Sequence, residues 1–319
     1  MTRTGSVTAF APGGVGNVGP GLDILGLALE GDGDSVRAEW SSVPGISILD
    51  PGHPDLPRDS NRHTAGLAAA AVVNRARDPG LGKRGIALSV CKGLPLSGGQ
   101  GGSAASAVAG AVAVNALLGD PLDREALVGA CLTAEESVSG RHADNVAPSL
   151  FGGIVLVRSL DPLDLVQLPV PDELWVVLVR PEQQLRTAEA RSVLPRDVSR
   201  EVALHQAAQV GAIVAALASG DYALLGRAID DRIAEPARTR LLPGFAEAKR
   251  AALDAGALGS SISGAGPTAF ALARGARSAR RVSEAMTAAY AARGFPSRAR
   301  ISRIDRRGAR LIEPERQSR

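Results

Sequence analysis

Residues 92–106 read Lys92-Gly93-Leu94-Pro95-Leu96-Ser97-Gly98-Gly99-Gln100-Gly101-Gly102-Ser103-Ala104-Ala105-Ser106. An apolar run that predicts a strand, Gly85 to Cys91, precedes this segment, and an Ala-rich run that predicts a buried helix, Ser103 to Leu118, follows it. Its glycines let consecutive backbone N–H groups converge on one point, and the helix start adds unpaired donors and a positive dipole end. A tight turn needs only one or two glycines, so the segment predicts a phosphate-binding loop.

The loop does not match the two common nucleotide-binding motifs. Gly102, and not a lysine, stands directly before Ser103, so the loop does not match the Walker A motif. Gly99-x-Gly101-x-x-Ala104 and Gly14-x-Gly16-x-x-Gly19 match the dinucleotide-binding motif superficially. The first has no clear acidic residue ending a second strand, and in the second Pro20-Gly21 stands where a helix should begin. An NAD(P)-dependent oxidoreductase is therefore kept only as an alternative.

A third glycine-rich segment, Gly256 to Thr268, lies between a predicted helix and a predicted strand. Alone it is compatible with a packing turn. Together with the phosphate-binding loop, it predicts the second wall of one cleft.

Composition excludes several classes of protein. The chain has 319 residues, 45% hydrophobic and 22% charged, which is ordinary for a globular protein. Its two cysteines, Cys91 and Cys131, cannot form a disulfide framework or a cysteine zinc site. Of 36 cationic residues only three are lysines, and 3% of all residues are aromatic, which argues against a nucleic-acid interface. No apolar run reaches 18 residues and no signal pattern is visible, so we expect a cytoplasmic protein that does not bind membranes.

The order of the predicted elements favours an α+β fold over a doubly wound sheet, because strands and helices do not alternate strictly. The segment around residues 159–172, with two prolines and several acidic residues, is the predicted domain boundary. The other predicted strands are Ser6–Phe10, Leu25–Leu29 and Asp34–Trp40 as a hairpin turning at Gly31–Gly33, Gly153–Val157, Leu174–Val179, 268–273 and 297–304. The other predicted helices are 61–77, Asp123 to about Val138, 198–218, 221–233, 244–255 and 277–293.

The chain resembles the GHMP kinase superfamily of small-molecule ATP kinases. The resemblance spans residues 10 to about 270, and its motifs occur in the expected order. The motifs are Pro95-x-x-x-Gly99-x-Gly101-x-Ser103-Ala104, Asn17-Val18-Gly19-Pro20-Gly21-Leu22-Asp23, His142-Ala143-Asp144-Asn145-Val146-Ala147-Pro148, Thr187–Pro195, Glu235-Pro236-Ala237-Arg238 followed by Leu242–Phe245, and Ser261–Thr268.

This resemblance implies a two-domain fold. An N-terminal domain similar to domain 2 of ribosomal protein S5 is expected over residues 1–160, a ferredoxin-like domain over 161–305, and a charged tail over 306–319. The implied reaction transfers phosphate from ATP, with Mg²⁺, to the side-chain hydroxyl of L-homoserine, which yields O-phospho-L-homoserine for threonine biosynthesis. A homodimer is also implied. The alternatives are a kinase for an acceptor such as mevalonate or shikimate, or a binding protein that has lost catalysis.

Two adjacent residues are the catalytic candidates. Other members of the superfamily place an aspartate base near Asn145, but asparagine cannot accept a proton at neutral pH. We therefore expect Asn145 to orient the attacking hydroxyl, with Asp144 as an alternative base.

Substrate binding is assigned through the resemblance. Arginine suits a carboxylate because its fork makes two parallel hydrogen bonds. Asp23 is expected to bind the ammonium or hydroxyl, although it could also serve turn geometry, and Thr187 could instead cap a short helix. The expected substrate-binding residues are Asn17, Asp23, His142, Thr187, Arg191 and Arg238.

Nucleotide and metal binding are assigned in the same way. Gln100 stands where the superfamily has an apolar residue and Gly102 where it has a serine, which leaves the Ser103 hydroxyl to contact phosphate or Mg²⁺. Glu135 and Glu136 are both candidates for the carboxylate ligand of Mg²⁺. The expected ATP-binding residues are Asn61, which could instead be a helix cap, and Pro95, Leu96, Ser97, Gly98, Gly99, Gln100, Gly101, Gly102, Ser103, Ala104 and Ser106.

Overall fold

The computed structural model describes residues 5–76, 84–138 and 140–313. The described strands are β1 (Ser6–Gly16), β2 (Leu25–Ser41), β3 (Gly45–Asp50), β4 (Gly85–Lys92), β5 (Ile154–Leu160), β6 (Leu163–Leu168), β7 (Leu174–Pro181), β8 (Gly259–Ile262), β9 (Ala269–Arg274), β10 (Ser297–Ser302) and β11 (Arg310–Ile312). The described helices are α1 (Thr64–Ala76), α2 (Gly102–Leu118), α3 (Arg124–Glu136), α4 (Val146–Phe151), α5 (Thr187–Ser192), α6 (Arg200–Ser219), α7 (Tyr222–Ala228), α8 (Ala234–Thr239), α9 (Phe245–Asp254) and α10 (Ala276–Ala292).

The larger sheet carries the N-terminal half of the chain. Its strand order is β11-β1-β2-β4-β3, with β5 added to β2 and β6 to β5, and only the β3–β4 pair is parallel. Helix α2 packs on this sheet and on α1 and α3, and its alanines let the backbones approach closely. A Cβ on Gly110 would lie 2.9 Å from the Ala65 carbonyl oxygen, so this crossing needs a glycine.

The smaller sheet confirms the expected ferredoxin-like domain. Its order, β10-β7-β9-β8, is antiparallel throughout, and numbering these strands along the chain gives 4-1-3-2. Helices α9 and α10 cover one face through a core that includes Phe245, Met286 and Tyr290. The α+β class predicted from the sequence is therefore confirmed.

A shared apolar core joins the two sheets. Val15 and Leu27 from the larger sheet belong to the same buried cluster as Leu178 and Phe270 from the smaller one, with Ile213 of α6. Burial of this apolar surface holds the domains against each other. The glycine-rich segments of both domains consequently face one cleft.

The predicted hairpin at Gly31–Gly33 is wrong, because β2 is one continuous strand. Pro12 pairs with Gly33 and Gly14 with Ala28, so a single residue of β1 faces residues 29–32 as a bulge. The C-terminal segment supplies the missing partner, since Leu29 bridges Ile304 and Glu30 N–H donates to the Arg303 carbonyl. Pairing with residues distant in sequence thus converts a turn signal into a bulge.

Two predicted helices have different limits. The helix expected over 221–233 ends at Ala228, because the Asp231 carboxylate accepts from the N–H groups of Ile233, Ala234 and Glu235 and starts α8. The helix expected over 61–77 begins at Thr64, and residue 77 lies outside the described residues.

The larger sheet also includes residues beyond the expected boundary at 160. Strand β6 pairs with β5, and β11, which falls in the expected tail, pairs with β1. Residues 314–319 of that tail lie outside the described residues.

Candidate functional site

A cavity of about 590 Å³ opens between the two domains. Its walls come from the phosphate-binding loop, the loop at residues 17–23, the segment before α4, α5, α8 and the third glycine-rich segment. Motifs that are widely separated in sequence therefore form one site.

The phosphate-binding loop is held by side chains of the other domain. Thr268 Oγ1 donates to the Gly98 carbonyl at 2.5 Å, and Ser263 Oγ donates to the Gly99 carbonyl at 2.6 Å. The Gly14 N–H donates to the Gln100 carbonyl at 3.1 Å. The prediction that the third glycine-rich segment forms the second wall of the cleft is thus confirmed.

Two loop glycines are required by the backbone. Gly99 and Gly101 both have φ near +70°, a region that side chains disfavour, and a Cβ on Gly99 would lie 2.5 Å from the Ser263 carbonyl oxygen. Gly101 caps α2, which begins at Gly102 without a side-chain cap. The first N–H groups of α2 therefore remain available to an anion.

Most of the expected ATP-binding residues line the cavity, and three do not. Ala104 is fully buried in the core of the N-terminal domain, so its methyl group faces away from any ligand. Gln100 is a buried residue of the loop, and Asn61 lies in an exposed turn before α1. The residues of this set that line the cavity are Pro95, Leu96, Ser97, Gly98, Gly99, Gly101, Gly102, Ser103 and Ser106.

The two candidate metal-binding glutamates differ in position. Glu135, near the end of α3, is buried and lines the cavity together with Ser103. Glu136 is exposed and lies outside the cavity wall. Because adjacent residues of a helix are rotated about 100° around its axis, the two side chains point in different directions.

Asp144 is the centre of a polar cluster that also contains Asn17, His142 and Asn145. Its carboxylate is 1% exposed and lies 2.9 Å from His142 Nδ1. It also accepts from the Asn17 N–H at 3.0 Å and from Asn145 Nδ2 at 3.3 Å. One carboxylate thus fixes three of the expected site residues.

Asp23 and Arg191 form a forked ion pair at the cavity wall. The two guanidinium nitrogens donate to the two carboxylate oxygens at 3.1 and 2.9 Å, and each side chain is about one-third exposed. Ligand atoms of Asp23, His142 and Asp144 also lie within 4.8 Å of one another. This spacing would suit a metal ion, but the fork and the Asp144 hydrogen bonds already engage these carboxylates. We therefore interpret the cluster as a binding site for a polar substrate and not for a metal ion.

Arg238 is more deeply placed than Arg191. Its Nε donates to the Ala190 carbonyl at 3.1 Å and its Nη1 to the Gly264 carbonyl at 2.8 Å, and burial lowers its pKa. Asn17 Nδ2 donates to the same Gly264 carbonyl at 2.9 Å. Asn17 Oδ1 also accepts from the Asp23 N–H, which is the turn geometry considered from the sequence.

Asn145 lies between the phosphate-binding loop and the end of β1. A Cβ on Gly101 of the phosphate-binding loop would lie 2.9 Å from Asn145 Oδ1, and one on Gly16 would lie 2.5 Å from Nδ2. Thr187 also lines the cavity, as the first residue of α5. The cap of that helix is Arg186, so the alternative role of Thr187 as a helix cap is wrong.

Sequence reasoning missed several residues of the cavity wall. Lys92, His63 and Arg180 all line it. Lys92 had one recognisable signal, because lysine is rare in this arginine-rich chain. His63 and Arg180 lie outside every motif and carried no such signal.

These features define a class of protein: a kinase that binds nucleotide phosphates at a helix N-terminus and a small polar acceptor beside it. Models of the GHMP kinase N-terminal and C-terminal domains match residues 64–153 and 213–292. The oxidoreductase alternative is wrong, because Gly14 and Gly16 lie in β1, which a turn connects to antiparallel β2 without the helix of a dinucleotide-binding unit.

Relatives of known name narrow the class. A homoserine kinase from Chlorobium phaeobacteroides is 42% identical over 320 residues, covering 96% of this chain and 99% of the relative. The structure of a homoserine kinase from Cytophaga hutchinsonii matches with a TM-score of 0.92 and 39% identity, covering 98% and 99% of the two chains. A mevalonate kinase from L. major, at 18% identity and a TM-score of 0.70 over 94% and 96% of the two chains, shares the fold alone. The chain belongs to the GHMP kinase family, among its homoserine kinases.

The cluster predicts a specific dependence of stability on pH. Burial lowers the pKa of His142, but its hydrogen bond to Asp144 and the charges of Asp144 and Asp23 outweigh this and raise the pKa above its ordinary value. A raised folded-state pKa contributes stability that is fully present below the unfolded pKa and is lost as pH rises through the folded pKa. The free energy of unfolding of the wild type should therefore exceed that of the His142→Gln variant. This difference should be largest at about pH 6 and smallest at about pH 9.

Urea unfolding at both pH values measures this difference, with exposed His53→Gln as the control for the substitution itself. A difference between wild type and His142→Gln that stays constant or grows with pH would contradict the assignment.

Proposed function

We propose that this chain transfers the γ-phosphoryl group of ATP to the side-chain hydroxyl of L-homoserine, as its relatives' names indicate and as threonine biosynthesis requires. The observation that carries the proposal is the position of Asn145. Its amide lies between Gly101 of the phosphate-binding loop and the Asp144 cluster, where a hydroxyl would have to meet a phosphate.

The ion pair of Asp23 and Arg191 supports an amino acid as acceptor. A free amino acid carries an ammonium and a carboxylate, and this wall of the cavity offers one carboxylate and one forked guanidinium side by side. Mevalonate and shikimate carry a carboxylate but no ammonium, so they could engage Arg191 but would bring no positive charge to share Asp23 with it. Charge complementarity thus favours homoserine over those acceptors.

The reaction requires positioning more than a strong base. A bond forms between the hydroxyl oxygen and the γ-phosphorus, the bond from that phosphorus to the β–γ bridging oxygen breaks, and the hydroxyl proton passes to a phosphoryl oxygen while ADP leaves. We assign Asn145 to orient the hydroxyl and Asp144 to hold Asn145. The three hydrogen bonds that Asp144 already accepts support this supporting role over that of a base.

We further propose that Mg²⁺ is held by Ser103 and Glu135. A hydroxyl and a buried carboxylate on one cavity wall fit a cation that prefers oxygen ligands and completes its shell with phosphate oxygens. When bound, Mg²⁺ would neutralise charge that develops on the phosphates. The exposed Glu136 has no comparable position.

Location and assembly complete the proposal. A cytoplasmic location is in keeping with a metabolic kinase of this family. Helix α6 is long and apolar enough to cross a membrane by length and composition alone, but it packs against α7 and β6.

The outer face of α6 leaves Leu204 64% exposed, and Gly211 has open space beside it. Such an apolar face supports a homodimer, for which sedimentation of wild type and Leu204→Arg is the test: the variant should be monomeric at concentrations where wild type is dimeric.

The acceptor assay tests the central proposal. Purified protein with ATP and Mg²⁺ should release ADP with L-homoserine at least about 100-fold faster than with mevalonate, shikimate or no acceptor, because only homoserine matches both charges. L-serine, one methylene shorter, should be a poor acceptor for the same enzyme, and chelation of Mg²⁺ should stop turnover. Preference for an acceptor without an ammonium group would contradict the charge argument. ATP binding without turnover on any acceptor would indicate a protein that has lost catalysis.

Asn145→Ala tests the orienting role. We expect kcat to fall about 100-fold while KM for L-homoserine stays within about twofold, because the amide acts on the geometry of attack and not on the charged groups. Asn74→Ala, on the exposed face of α1, is the matched control and should be unaffected. Near-normal turnover by Asn145→Ala would exclude this role.

A further inference from the structure

Lys92 stands at the end of β4, next to the start of α2, and its side chain is only 6% exposed. Its ammonium group donates to the Gly102 carbonyl at 3.0 Å and to Ser106 Oγ at 3.0 Å, and it forms an ion pair with Asp34. A lysine ammonium has three protons. All three are accounted for by these protein acceptors, although Lys92 lies in the cavity wall.

Asp34 extends the network to the phosphate-binding loop. This carboxylate is fully buried, and its Oδ1 accepts from the N–H groups of Gly93 and Leu94 at 3.1 and 3.2 Å. Its Oδ2 accepts from Ser106 Oγ at 2.6 Å. The charge pair thus ties the middle of β2, the first residues of the loop and the first turn of α2 to one another.

We propose that Lys92 is a positioning residue for the nucleotide. It acts through α2, because its contacts with Gly102 and Ser106 fix the direction in which the first turn presents its N–H groups to the phosphates. In a Walker A loop the lysine itself contacts phosphate, whereas here the ammonium protons are used by two groups of α2 and by Asp34 of β2. The ammonium group lies directly against the first residue of α2, since a Cβ on Gly102 would be in van der Waals contact with Lys92 Nζ at 3.4 Å.

The inference rests on the proposed function only in taking the ligand to be a nucleotide. Its test therefore begins with ADP binding, measured by calorimetry on the whole chain without any acceptor. Wild type that binds ADP but does not phosphorylate L-homoserine would contradict the proposed acceptor and leave the role of Lys92 testable.

Lys92→Met keeps the length of the side chain and removes its three donors. We expect ADP affinity to fall at least about tenfold and KM for ATP to rise in proportion, while KM for L-homoserine changes less than about twofold. Lys249→Met is the matched control, because Lys249 also forms an ion pair with a carboxylate, Glu235, but in the other domain. That control should leave ADP affinity unchanged.

Ser106→Ala provides a second variant, because it removes one acceptor of Lys92 and keeps the charge pair. Although Ser106 lies at the cavity wall, it is 1% exposed and its hydroxyl is engaged by Lys92 and Asp34, so its loss acts on this network. It should fold and weaken ADP binding in the same direction by a smaller factor, so it decides the matter if Lys92→Met does not fold. Unchanged ADP affinity in the folded variants would overturn the proposal. Equal losses for ADP and L-homoserine would also overturn it, because they would indicate general destabilisation and not orientation of the phosphate site.

Discussion

The structure depends on how the carbonyl groups of the phosphate-binding loop are satisfied. Residues 98–102 are four glycines and Gln100, so the centre of the loop has a single side chain and the carbonyls of Gly98 and Gly99 must find donors elsewhere. Thr268 and Ser263 provide them from the second domain. The conformation of the loop is therefore stabilised by contacts between the two domains, and these contacts lie at the wall of the cavity.

A second shared group links acceptor binding to the same interface. The Gly264 carbonyl accepts from Asn17 of the N-terminal domain and from Arg238 of the C-terminal domain, while the Gly264 N–H donates to the Gly16 carbonyl at 3.1 Å. One peptide unit thus positions two expected substrate-binding residues. Because Ser263, its neighbour, holds the phosphate-binding loop, one continuous segment contacts both that loop and the residues that we propose to bind the acceptor.

The features that could be predicted from the sequence are those that depend on neighbouring residues or on recognisable motifs. Glycine spacing predicted the phosphate-binding loop, and the order of motifs predicted the fold class. Contacts between distant segments could not be read in this way. The turn signal at Gly31–Gly33 is overridden by pairing with residues near Ile304, and the choice between Glu135 and Glu136 depends on which face of α3 meets the cavity. Asp34 carried no signal at all, because only the fold brings it to the loop.

The phosphate side and the acceptor side of the cavity use charged residues differently. Near the phosphates the chain places a lysine whose charge is balanced by buried Asp34, so the helix N-terminus presents neutral N–H groups to the ligand. At the acceptor side it places a carboxylate and a guanidinium at the cavity wall, where charges can meet those of an amino acid. Asn145 lies between the two regions and is itself uncharged. An aspartate at this position would stand beside the carboxylate of Asp144 and add negative charge next to the phosphate-binding loop. For the orienting role that we propose for Asn145, an amide therefore has the lower electrostatic cost.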